Sequence, residues 1–366
     1  LEHVLLSGSS NQAILDIHSR VDHLGGEINA QTGKDYIGVH CVLPRKDWLT
    51  GLEILADVLS HPRWDEQALE REKKVILEEI RRARDQSRAI LALFAATIWE
   101  NHPLSNPILG LPEHILLAGI EHLQQMYTRH FTAPNMAIAV CGDLDHDEVL
   151  RQVAGRFENL SRGPELPRFS AYCPNVSEPL HTHLQRETGQ VMMMLGVPTV
   201  SMNHSDRTSI KLLERMLGMG LGGRLYRRLR VEQQVVYSVT TAAANYEDTG
   251  YLAAQTICHP KNVYRVRDVI LDEFERLSHF DVSPEELNNA KLNYAGNLLR
   301  HFETNLAIAN IAAIESLLSR LEPFPESLER IQSVTLDDIN RVAQHYLTSQ
   351  TYVLATLGAS IEHETV

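Results

Sequence analysis

Two glutamates, Glu72 and Glu79, stand seven residues apart in the stretch WDEQALEREKKVILEEIRRA, residues 64–83. Leu69, Val75, Ile76 and Ile80 recur near helical spacing there, which predicts an amphipathic helix. Seven residues are two turns, so both carboxylates fall on roughly one face, and beside Val75, Ile76 and Ile80 that face is expected to be half buried. A carboxylate in such a place needs a partner, because an unpaired buried charge costs several kcal/mol. The partner is either a lysine or arginine, in an ordinary salt bridge, or a metal ion. The residue types leave both open, with the salt bridge the commoner of the two. The chain also opens on Leu1-Glu2-His3, a further carboxylate next to an imidazole.

The elements around these residues follow from pattern. Residues 11–24 carry Ile14, Ile17, Val21 and Leu24 on one helical stripe, and Gly25-Gly26 ends it. Residues 35–43 (DYIGVHCVL) read as a strand. A second amphipathic helix runs over residues 48–60, broken by His61-Pro62. Residues 120–131 are helical in pattern, and the apolar run MAIAVCG, residues 136–142, reads as a strand. Pro164, Pro167, Pro174 and Pro179 with Gly163 mark residues 163–180 as a linker, between an N-terminal lobe (1–162) and a C-terminal lobe (181–366). The glycine-rich turn at 218–223 lacks a following Lys-Ser/Thr pair, so nucleotide binding is not expected. His18, His23, His40 and His61 have no partner at metal spacing and read as surface or core-edge residues. Trp48, Trp64 and Trp99 read as packing residues.

The whole composition agrees with a soluble globular protein. The chain has 366 residues, 43% apolar and 22% charged, with net charge −13, which argues against nucleic acid as a partner. No apolar run reaches membrane-spanning length. Four scattered cysteines without a C-x-x-C pair fit a reducing compartment, so a cytoplasmic location is expected, with a bacterial periplasm or organelle matrix also compatible.

The two halves repeat one another. Residues from Ile120 (IEHLQQMYTRHFTAPNMAIAVCGDL) match residues from Leu336 (LDDINRVAQHYLTSQTYVLATLGAS) at an offset of 216, and DEQALEREKK matches SPEELNNAKL at 218. The expected fold class is α+β, with two homologous lobes, each an antiparallel-rich sheet covered by helices. At the same offset Glu72 becomes Ala290 and Glu79 becomes Asn297. The repeated unit therefore folds without either carboxylate, which shifts their reading towards function.

Four segments in order, LEHVLLSGS, HLGGEINAQTGKDYIGVHCVL, ALEREKKVILEEI and GLGGRLYRRLRVEQQVVYSV, resemble the insulinase or pitrilysin family of zinc metallopeptidases, in the branch of the mitochondrial processing peptidases and their bacterial homologues. The resemblance implies two lobes facing one another as a clamshell, a zinc cofactor, and endopeptidase action on peptides or unfolded segments. The family motif is H-x-x-E-H, an inverse of the common H-E-x-x-H order, followed further along by a glutamate. Histidines at i and i+4 share a helix face and bind one zinc. The intervening glutamate takes a proton from water, and a fourth metal position stays open. Carried over, Glu2 is the general base, His3 the second ligand histidine and Glu79 the third ligand. Glu72 is the outer acidic residue that orients a ligand histidine. The first histidine would fall two residues ahead of Leu1, and the strands that usually precede the motif are also not in the sequence. The expectation is that the natural protein carries that segment.

The resemblance also marks Arg230 and Tyr237 as substrate contacts that stabilise the tetrahedral intermediate. Asn29 and Ala30 fall on the strand edge to which a peptide adds. Without it, Arg230 reads as a solvated charge and Tyr237 as a half-buried strand residue. A homodimer is the expected assembly, with a heterodimer possible. The second reading is a non-catalytic partner subunit or scaffold, which the glycine-rich loop and partial motif also fit.

Overall fold

The computed structural model describes residues 1–83, 87–158, 160–318 and 321–361. In chain order the first half gives α1 (Glu2–Leu5), α2 (Ile14–His23), β1 (Glu27–Thr32), β2 (Ile37–Val42), α3 (Trp48–Ser60), α4 (Glu66–Ala83), α5 (Ser87–Ile98), α6 (Pro112–Leu117), α7 (Ile120–His130) and α8 (His146–Arg156). The second half gives β3 (Leu180–Gln185), β4 (Val191–Thr199), α9 (Arg207–Gly218), β5 (Val236–Asn245), β6 (Gly250–Cys258), α10 (Val263–Ser278), α11 (Pro284–His301), α12 (Asn305–Leu318), α13 (Phe324–Ser333), α14 (Leu336–Tyr346) and β7 (Val353–Gly358). The repeat seen in sequence is carried by whole elements. Both ends of α7 and α14 are offset by 216, and both ends of α4 and α11 by 218. The fold is α+β, and no described helix is long and apolar enough to cross a membrane.

The chain forms two compact units whose bounds differ from the sequential blocks 1–162 and 181–366. One unit comprises residues 1–81, 108–168 and 301–321; the other comprises 82–107, 169–300 and 322–366. The difference lies in two helices. Within the second unit, α5 buries Ile90, Phe94, Ile98 and neighbouring Trp99 against Met194, Tyr251, Val353 and Leu357 of the sheet. Within the first, α12 lies on β2. An apolar helix goes where it removes most surface from water, whatever its place in the chain.

The second unit holds a five-stranded sheet in the order β3-β7-β4-β6-β5, antiparallel except for β3 beside β7. Alternate residues of β4 point to opposite faces. Met193, Leu195 and Val197 join the core formed with α9, α10 and α14, while Met194 meets α5. Helix α14 shows the local logic. Thr335 and Asp338 form a capping box at its start, and Ile339, Val342 and Ala343 bury one stripe.

The first unit has β1 and β2 as an antiparallel pair, with Ile28 packed against Ile17, Val21, Ile54 and Val58 of α2 and α3. The strand expected over residues 136–142 is not formed there. Its counterpart β7 is a strand because β3 and β4 bond to its two sides. Residues 136–141 have no ladder partner among the described residues. Strand β3, by contrast, was not expected from sequence. Leu180, Thr182 and Leu184 alternate with His181, His183 and Gln185, but two leucines in six residues beside a proline-rich stretch announce a strand only weakly.

Candidate metal centre and substrate contacts

Glu2 and His3 sit in the single turn of α1. Leu5 N donates to Leu1 O at 3.0 Å, and Val4 and Leu5 are 2% and 0% exposed. Those two apolar residues are the anchor, and the polar pair stays in the first turn beside it. The chain beyond is tied down at once. Ser7 Oγ donates to His3 O at 2.9 Å, the Ser9 hydroxyl donates to Asp57 of α3, and Asn11 Nδ2 donates to Asp57 Oδ1 at 2.6 Å. Gly8 makes this turn possible. Its φ is +119°, and a Cβ there would stand 2.9 Å from Gln12 O.

Helix α4 is capped by Asp65, whose Oδ1 accepts from Gln67 N at 2.9 Å and Ala68 N at 3.1 Å. The Ala68 bond above all holds that carboxyl below its ordinary range. The buried stripe of α4 is Leu69, Lys73 and Ile80, with Ile76 half buried. Lys73 Nζ reaches Glu70 at 2.6 Å and Leu116 O at 3.2 Å, which joins α4 to α6. Val75 does not share this face. It is 45% exposed, because it stands about 100° from Ile76 around the helix. Glu72 and Glu79 flank the stripe with side chains 27% and 41% exposed.

These two elements bring the predicted residues together. His3 Nδ1 lies 2.8 Å from Glu72 Oε2, and His3 Nε2 lies 3.8 Å from Glu79 Oε2. The shared partner of both glutamates is thus an imidazole, while Glu78 turns to Arg81. A carboxylate can only accept, so Nδ1 donates to Glu72 and Nε2 is the nitrogen that faces Glu79. On β1, the Thr32 hydroxyl donates to Glu2 Oε2.

Zinc in a catalytic site takes three protein ligands from histidine and carboxylate. The His3 Nε2 to Glu79 Oε2 separation of 3.8 Å is slightly wider than the roughly 3.4 Å that two tetrahedral bonds of about 2.1 Å would span. The donor types and their direction fit two of the three ligand places. Among the described residues, no cluster of three or more metal-ligating side chains forms. Cys41 packs against the apolar cluster of Ile17, Val21, Ile28, Ile54 and Val58, and burial pushes its thiol up to about 11. His40 and His61 have Glu27 and Asp57 as their carboxylate neighbours, at 3.7 and 3.5 Å.

Asn29 and Ala30 lie on β1 opposite His40 and Val39. Asn29 Oδ1 accepts from Ala30 N at 2.8 Å, so the side chain satisfies a strand-edge N–H. In the second unit, Arg230 belongs to a π-helical turn (Tyr226–Glu232), and its guanidinium carbon lies 4.8 Å from the Tyr237 ring centroid. Arg224, Arg227 and Arg228 each pair with carboxylates instead. Tyr237 is not the half-buried residue its strand position suggests. It is 80% exposed, at a register shift of β5 between Val236 and Val239, and such an irregularity re-aims a side chain. Thr32 is the site neighbour that sequence reasoning missed. Its only signal is a hydroxyl on the same strand face as Ala30, two residues on.

Comparison with known proteins shows the family. Residues 1–111 match the model of the insulinase family (peptidase family M16), and residues 119–294 match the peptidase M16 inactive domain. Glu2, His3, Thr32, Glu72 and Glu79 all fall in the first match. An uncharacterized zinc protease of Mycobacterium tuberculosis is 29% identical over 363 residues, covering 98% of this chain and 82% of that protein. The zinc protease YmxG of Bacillus subtilis, also uncharacterized, is 27% identical, with 98% and 87% covered. A probable mitochondrial-processing peptidase subunit beta of Arabidopsis thaliana is 24% identical, with 98% and 70% covered. Among solved structures, a protease from Helicobacter pylori superposes with a TM-score of 0.87 at 17% identity, over 97% of this chain and 88% of that one. With both family models in chain order over most of its length, the chain belongs to the insulinase family, peptidase family M16.

Proposed function

We propose that the chain is a zinc-dependent endopeptidase acting on peptides or unfolded segments bound in extended form. The observation that carries this reading is the His3 ring held by Glu72 on one nitrogen, with the other 3.8 Å from Glu79. His3 Nε2 and Glu79 would hold the metal. When bound, zinc polarises the scissile carbonyl and makes water more acidic.

The protein's own groups do the rest. Glu2 takes a proton from the attacking water and passes it to the leaving amine. The β1 edge receives the substrate backbone as an added strand, and Asn29 releases the Ala30 N–H to it. Arg230 and Tyr237 are the substrate-contact candidates of the second unit, a cation and a phenol that can donate to a substrate carbonyl. The stacked arginine keeps the exposed phenol in place.

The test is a quenched-fluorescence peptide assay on the polypeptide as its gene encodes it, with zinc counted by atomic emission. Cleavage that stops with a chelator, returns with zinc and is lost in Glu2→Gln supports the reading. Cleavage that persists in both, or a protein that holds no zinc, refutes it; a zinc-free, inactive protein is the partner-subunit case.

A further inference from the structure

We infer that Thr32 is a positioning residue for Glu2, fixing which carboxylate oxygen is left to accept the proton. The inference rests on the peptidase reading above. The Thr32 hydroxyl donates to Glu2 Oε2 across 30 residues of sequence, so one oxygen of the carboxylate is occupied and Oε1 is the one left to act. A glutamate has three rotatable side-chain bonds, and α1 is a single turn with no side-chain cap. Val4 and Leu5 fix the backbone of that turn but not the Glu2 carboxylate, which needs a second point of support.

Thr32 suits that task. It is β-branched and stiff about χ1. It closes β1, paired with Ile37 across the ladder, and the next residue is locked by a Gly33 N bond to Tyr36 O at 2.8 Å. The face that carries its hydroxyl also carries Ile28, 7% exposed in the core with α2 and α3. The hydroxyl is therefore presented from the best-anchored strand of the unit. A general base gains rate from being held in the reactive geometry, and loose placement of such a group costs about 10- to 100-fold.

The experiment compares Thr32→Val, which keeps the branched shape and removes the hydroxyl, with Thr32→Ser, which keeps the hydroxyl. In the gene-encoded polypeptide, Thr32→Val is expected to lower kcat by about 10- to 100-fold with KM within twofold, and Thr32→Ser to restore most of it. The melting temperature and zinc content should not move, which separates positioning from a structural role. A second readout needs no activity: in metal-free protein, the side-chain carboxyl 13C resonance of Glu2, assigned by its loss in Glu2→Gln, should shift in Thr32→Val and return in Thr32→Ser. In the Glu2→Gln background, Thr32→Val should change nothing further. If Glu2→Gln abolishes cleavage while Thr32→Val keeps full kcat and an unmoved resonance, the inference fails and the peptidase reading stands. If Glu2→Gln leaves cleavage intact, the reading fails and takes the inference with it.

Discussion

Glu72 Oε2 lies 2.8 Å from His3 Nδ1, so one carboxylate of α4 orients the ring whose other nitrogen faces a second carboxylate of the same helix. Seven residues of helix separate the two glutamates, and one imidazole fills the space between them. Two turns rise about 10.5 Å, a span that an imidazole and two glutamate side chains can bridge.

Under the proposed peptidase reading, that contact gives Glu72 the task of orienting the His3 ring. Replacing it with alanine frees the ring to turn and removes the acceptor at Nδ1. Zinc affinity of the gene-encoded polypeptide is expected to fall about 10- to 100-fold in Glu72→Ala, read by competition with a fluorescent chelator. Glu72→Gln, whose amide oxygen still accepts from Nδ1–H, should lose less. An alanine variant that binds zinc as tightly as the parent would remove Glu72 from the site.

The repeated halves supply a second prediction. Gly142 and Gly358 share one offset, and so do the helices before them, α7 and α14. Yet β7 is laddered on both sides, whereas residues 136–141 have no strand partner among the described residues. Backbone amides of 353–358 should therefore exchange with deuterium only on large-scale opening, and those of 137–141 of this chain within seconds to minutes. Mass spectrometry of peptic fragments compares the two directly. Equal protection would mean that the second segment is laddered in solution.

Much of this was legible before any coordinates, and the reasons are local. Helices α4, α7 and α14 carry strong 3.6-residue periodicity, and the repeat set the relation between halves without knowledge of contacts. Glu72, Glu79 and His3 were found because a motif order placed them on one site. Strand status at 136–142 depends on neighbours, which a single run of apolar residues does not contain. The exposure of Tyr237 depends on a register shift against β6, a property of two strands together. The placement of α5 against β4 and β7 and of α12 on β2 is a packing outcome that neither helix's own sequence contains. Thr32 was missed for the same reason: a threonine at a strand end is ordinary until the chain brings Glu2 to it.

A last prediction concerns stability in the second unit, where Asp206 joins α9 to α14. Its Oδ1 accepts from Arg341 Nη2 at 2.7 Å and its Oδ2 from Nη1 at 3.2 Å, with the Tyr346 hydroxyl at 3.4 Å. Asp206 is 5% exposed. The Arg341 hydrogen bonds hold its carboxyl below the ordinary 3.8, and burial pushes the Tyr346 phenol up to about 12, with the Asp206 charge adding to it. The sign follows from a folded-state value below the unfolded one. The ionised form is favoured by folding, so its stabilisation is fully present above 3.8 and is lost as pH falls through the folded-state value. Asp206→Asn should cost about 1.5–3 kcal/mol at pH 7, the scale of a hydrogen bond to a charged group. The gap between parent and variant should stay constant down to about pH 4 and close below it. Urea unfolding followed by tyrosine and tryptophan fluorescence between pH 7 and pH 3 measures it. A gap that is equally wide at pH 3 in a His204→Gln background, which removes the imidazole 3.8 Å from Asp206 Oδ2, would assign the loss to packing, since Arg341 stays protonated throughout.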